Sequence, residues 1–149
     1  MISDAARHSG PSSADLCGVA PSVSAISTEK DVEAMSITRI DPGARMSEAV
    51  IHGQTIYLAG QIGAPGADIV TQTKAVLVEI DELLERCGSD KHHILMATIW
   101  LADIADFEGM NSVWDGWVSE TSPPARATGE SRLATPDYRV EIIIVAARA

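Results

Sequence analysis

Two charged residues carry the clearest chemical potential in this chain. Arg126 follows the turn Pro123-Pro124-Ala125, and Glu141 stands fifteen positions later as a lone charge in the apolar run Val140-Glu141-Ile142-Ile143-Ile144-Val145-Ala146. Short β-branched runs bounded by turn residues read as buried strands. Within such a strand Glu141 shares its side of the pleat with Ile143 and Val145. A carboxylate there costs several kcal/mol unless something pairs with it. Arg126 offers a planar fork suited to a carboxylate, whether of the protein or of a ligand. Two readings stand at this point: a structural ion pair or charged sheet edge, and a binding or catalytic pair. Proline fixes φ and removes a backbone donor, so the guanidinium is presented from a stiff turn at the start of a strand. On that strand Arg126, Thr128, Glu130 and Arg132 share one face, which also permits a plain Arg126–Glu130 pair at a solvated edge.

The elements that must position these residues follow from periodicity. A short strand near 36–41 ends at Pro42-Gly43. A hairpin then runs over 48–52 and 55–61 with a tight turn at Gly53-Gln54. A helix over 68–87 is predicted, with Asp68 as cap, a stripe of Thr73, Val76, Leu77, Ile80, Leu83, Leu84 and Cys87, and Gly88 as terminator. Residues 94–102 form a nearly continuous apolar strand, and 106–118 a second helix with Phe107, Met110, Val113, Trp114 and Trp117 inward. Strands over 126–133 and 138–147 complete the order β-β-β-α-β-α-β-β. That order predicts an α+β domain, a mixed sheet with both helices on one face. Apolar positions on both sides of 94–102 and 142–146 predict that a second subunit covers the other face.

Composition bounds the function. The 149 residues fit one domain with a real core, and the net charge of −10 argues against a nucleic-acid backbone or an anionic membrane as partner. Cys17 and Cys87 make no disulfide framework and fit a reducing, cytoplasmic setting. The four histidines never fall at metal-ligand spacing, so neither a metal nor a cofactor is expected. Residues 1–34 are rich in Ser, Ala, Gly, Pro and Asp and lack both aromatic residues and any period. They read as a disordered extension or an over-extended start, with Met35 a possible initiator and 35–149 the folded domain.

Four short segments carry a family resemblance: Leu58-Ala59-Gly60-Gln61-Ile62, Met110-Asn111-Ser112-Val113-Trp114, Pro123-Pro124-Ala125-Arg126 and Val140-Glu141-Ile142. Their order and spacing resemble the RidA/YjgF family of enamine/imine deaminases over about residues 35–149. The wording of 45–50 and 97–103 resembles a bacterial side branch. The resemblance implies the chorismate-mutase-like α+β fold, a trimeric barrel-like assembly with sites between subunits, and a role in metabolite damage control. It implies Arg126 as clamp for a substrate carboxylate and Glu141 as the group handling protons or water. Gly60, Asn111, Thr128 and Met46 are implied as substrate-binding positions. The implied substrates are small imines and enamines bearing a carboxylate, of the 2-aminoacrylate type, hydrolysed to 2-keto acids and ammonia. Two departures bear on substrate range: Met46 stands where the best-known members carry tyrosine, and Thr128 where they carry cysteine.

Other functions remain open at this level. The same pocket could hold a 2-keto acid without turnover, as a binding or regulatory trimer. A pure binder needs the arginine but has no use for a carboxylate beside it. A chorismate mutase shares the fold but normally wants several cations for a dicarboxylate, and Arg45, Arg126, Arg132 and Arg139 are scattered. A chaperone role leaves no signature.

Overall fold

A computed structural model describes residues 36–149, so the expectations for residues 1–34 lie outside the described residues. Eight main elements follow the expected order: β1 (Ile37–Pro42), β2 (Ser47–His52), β3 (Thr55–Leu58), α1 (Ile69–Arg86), β4 (Ile94–Leu101), α2 (Phe107–Trp117), β5 (Ala125–Glu130) and β6 (Val140–Ala147). Short 3₁₀ turns at Lys91–His93 and Ile104–Asp106, which periodicity did not predict, lead into β4 and α2.

Helix α1 begins where Asp68 accepts a hydrogen bond from the Thr71 amide at 2.8 Å. That bond satisfies an orphan donor and holds the Asp68 carboxyl below the usual carboxylate range. The helix ends at Cys87, and Gly88 takes the left-handed φ of 75° that a side chain would resist. Its buried stripe of Thr73, Val76, Leu77, Ile80, Leu83 and Leu84 is the predicted one. Cys87 is buried as well, and burial pushes its thiol up, away from the reactive thiolate.

The six strands form one sheet in the order β1-β2-β3-β6-β4-β5, antiparallel throughout except for the β4–β5 pair. Both helices lie on the face bearing Ala49, Ile51, Ile56, Leu58, Ala97, Ile99, Leu101, Val140, Ile142, Ile144 and Ala146, and together they enclose the core. The opposite face carries Val50, Tyr57, Met96, Trp100, Glu141, Ile143 and Val145, only half-buried or exposed. The expectation that β6 is covered on both sides therefore holds for one face of the isolated subunit. Glu141 is half-buried rather than fully buried.

Three strands are shorter than predicted by two residues or more, and the first of them, β3, ends at Leu58 rather than at residue 61. Pairing of β5 with β4 ends at Leu101–Glu130, and the last bond runs from the Ser131 amide to the Leu101 carbonyl. Strand β6 starts at Val140 rather than Tyr138 because Gln72 takes over the backbone there. The fully buried Gln72 amide donates to the carbonyls of Ala67 (3.0 Å) and Asp137 (2.8 Å), and its oxygen accepts from the Arg139 amide (2.8 Å). Gln72→Leu keeps the bulk but strands three backbone groups. We expect it to cost about 2–4 kcal/mol in urea unfolding, since each orphaned group costs on the order of 1–3 kcal/mol. Wild-type stability in that variant would mean water replaces the side chain without loss.

Candidate functional site

Arg126 is the second residue of β5, an edge strand that opens straight after Pro123-Pro124. Its register partner on β4 is Ala97, so it stands on the helix-bearing face. The exposed guanidinium donates from Nη1 to Asn111 Oδ1 at 2.9 Å and lies over the Trp114 ring, with Cζ 5.4 Å from the ring centroid. Asn111 and Trp114 come from one turn of α2. The simpler Arg126–Glu130 pair does not form, since four residues of strand hold the two Cα atoms roughly 13 Å apart, and the Glu130 carboxylate accepts the Ile104 amide at 3.0 Å instead. No salt bridge engages Arg126 among the described residues. Thr128, opposite Ile99, shares the Arg126 face, and its buried hydroxyl has no hydrogen-bond partner among the described residues. Arg132 falls beyond the strand and lines a separate cavity of about 300 Å³ with Ala102, Leu133, Thr135 and Tyr138.

Glu141 is paired across the sheet with Trp100 and stands on the other face. The side chain lies hard against Gly60: a Cβ placed there would come within 1.9 Å of Glu141 Oε1 and 2.8 Å of its Cδ. Gly60 is therefore fixed by the close approach of the protein's own carboxylate. The segment holding Gly60 is pinned by the Gln61–Ile142 backbone pair and by Gln61 Nε2, which donates to the Ala59 carbonyl at 3.1 Å. Met46 is exposed just ahead of β2, and its carbonyl accepts from the Gly43 amide at 2.7 Å.

Arg126 and Glu141 are thus not neighbours within one subunit, which corrects the expectation that one stands beside the other. The cause is register. Arg126 pairs with Ala97 and Glu141 with Trp100, three residues apart on β4. An odd separation along a strand points two side chains to opposite faces. The chain therefore presents two separate clusters: Arg126, Asn111, Trp114 and Thr128 on one face, and Glu141, Gly60 and Trp100 on the other. Trp114 was read from the sequence as a core residue only. Its spacing of three from Asn111, on the helix just before the arginine turn, is the signal that would have marked it.

The family model described as Endoribonuclease L-PSP matches residues 36–148. A RutC family protein of Haemophilus influenzae is 49% identical over 116 residues, covering 75% of this chain and 98% of the relative. The chain belongs to the RidA/YjgF family. A YjgF family protein from Neisseria meningitidis, known from its crystal structure, is 45% identical at a TM-score of 0.76, with 78% of this chain and 98% of that one covered. The six-stranded sheet with two helices on one face is accordingly the chorismate-mutase-like fold of that family. At greater distance, the 2-iminobutanoate/2-iminopropanoate deaminase of Capra hircus is 36% identical over 108 residues, 67% of this chain and 77% of the relative. No helix of the described residues in this RidA/YjgF chain is long and apolar enough to cross a membrane.

Proposed function

We propose that this protein hydrolyses 2-imino and 2-enamino acids to 2-keto acids and ammonia. The proposed catalyst is a homotrimer whose sites join the Arg126 half-site of one subunit to the Glu141 half-site of the next. The observation that carries this reading is the placement of the two charges. Arg126 faces outward with no carboxylate partner among the described residues, and Glu141 sits against Gly60 on the other face, flanked there by Trp100, Ile143 and Val145. Tyr57 and Trp100 on that face are 48% and 36% exposed, which suits it to cover by another copy of the chain. The named activity of the mammalian relatives supports the substrate class, and the net charge of −10 disfavours a phosphodiester substrate.

The chemistry needs little machinery. A 2-aminoacrylate-type enamine takes a proton at C3 and becomes the iminium, the protonated form of the imine. Arg126 holds the substrate carboxylate, which fixes C2 in place for attack. Water adds to C2 as its proton passes to Glu141, giving a carbinolamine. Glu141 returns the proton to nitrogen, the C–N bond breaks, ammonia leaves, and the C2 hydroxyl loses its proton to become the keto oxygen. Such proton transfer is worth on the order of 10²–10⁴ in rate. Glu141→Gln is therefore expected to keep 2-keto-acid affinity and to slow imine hydrolysis at least about tenfold.

Subunit mixing tests the reading. Arg126→Ala and Glu141→Gln chains, unfolded together and refolded, should form trimers in which about a quarter of the sites are intact when each site draws the two residues from different subunits. Hydrolysis should return to that share, and sedimentation should show a species near three subunit masses. No recovery in a trimer would place both residues of a site in one subunit, and a stable monomer would remove the shared site altogether.

A further inference from the structure

We propose that Asn111 and Trp114 form a neutral seat that aims Arg126 without discharging it; the proposal rests on the carboxylate-clamp reading of Arg126. An exposed arginine on an edge strand has four rotatable side-chain bonds, and binding an anion with it costs the freedom of each. Here two contacts remove that freedom beforehand. The Trp114 ring, buried at 4% exposure, supports the guanidinium at 5.4 Å, and Asn111 Oδ1 accepts from Nη1 at 2.9 Å. Both contacts come from the same helical turn, so the seat is as rigid as α2 itself, which is bound to the core through Met110 and Trp114.

The chemistry of the seat fits a clamp better than a structural pair. An amide oxygen and an aromatic face orient a cation while leaving its full charge. A carboxylate at position 111 would hold the arginine more strongly, but it would satisfy the charge and compete with any anionic ligand. With one Nη1 hydrogen held by Asn111, the Nε–H and Nη2–H edge remains for a bidentate carboxylate. Asn111 is then a positioning residue rather than a direct substrate ligand, and Trp114 acts in the same way from beneath.

The full-length protein tests this with two readouts: 2-oxobutanoate affinity by calorimetry, and kcat and KM for 2-iminobutanoate generated in situ. Asn111→Asp is expected to weaken affinity about tenfold or more while the melting temperature holds or rises, because the new charge pairs with the arginine that the ligand needs. Trp114→Phe, which keeps an aromatic core side chain, should raise KM about threefold with kcat within twofold, as expected when binding is uniformly weakened. A merely structural role would move stability and affinity together in Asn111→Asp. If both variants bind 2-oxobutanoate like wild type while Arg126→Ala does not, the seat is overturned and the clamp stands. If Arg126→Ala also binds like wild type, the clamp itself falls.

Discussion

Arg126→Ala is expected to abolish both 2-keto-acid binding and imine hydrolysis while leaving the fold intact. The guanidinium is exposed on an edge strand and its protein contacts are one hydrogen bond and one ring, so its removal costs the fold little. For a bound ligand the loss is larger. A bidentate contact to a carboxylate disappears and the ligand charge is left unpaired, worth about 2–5 kcal/mol, or roughly 30- to 5,000-fold in affinity. Arg126→Lys should recover part of this, since it restores the charge without the planar fork. Calorimetry with a 2-keto acid and ammonia release from an imine check both halves. An alanine variant that turns over at the wild-type rate would show that the carboxylate is held elsewhere.

Gly60→Ala should also be damaging, for a different reason. The added methyl group would stand 1.9 Å from Glu141 Oε1, 2.8 Å from its Cδ and 3.0 Å from its Cγ. Strand β6 cannot back away, because β3 and β4 hold it on both sides through Tyr57–Val145 and Trp100–Glu141. The Glu141 side chain must therefore swing to another rotamer, or the segment around Gly60 must shift and strain its pairing of Gln61 with Ile142. Overpacking of this kind costs about 1–3 kcal/mol of stability. Moving the carboxylate should also slow hydrolysis at least as much as Glu141→Gln, about tenfold or more. Denaturant unfolding and imine turnover separate the two effects. Should the variant fold normally and hydrolyse imines as fast as wild type, the position of Glu141 would have no bearing on catalysis.

Local signals along the chain were enough to locate the elements and most of the individual parts. Asp68 and Gly88 bounded α1 because a cap and a left-handed glycine act on their immediate neighbours. The 3.6-residue stripe from Thr73 to Leu84 marked the core-facing side of α1 for the same local reason. Alternation around Glu141 placed it with Ile143 and Val145. Strand ends were less legible. The start of β6 moved to Val140 because Gln72, 67 residues away from Arg139 along the chain, competes for the backbone.

How the parts face one another was not legible in the chain and came from long-range pairing. Alternation says which residues on one strand share a side, but not which side they share with another strand. That depends on register, and register is set by long-range pairing of β5 and β6 with β4. A shift of one residue in either pairing would have put Arg126 and Glu141 on one face and made a site within a single subunit. The observed registers, Ala97 with Arg126 and Trp100 with Glu141, divide them between the two faces. The seat beneath Arg126 was equally hidden, because Trp114 reads as an ordinary core residue until β5 brings the guanidinium over its ring.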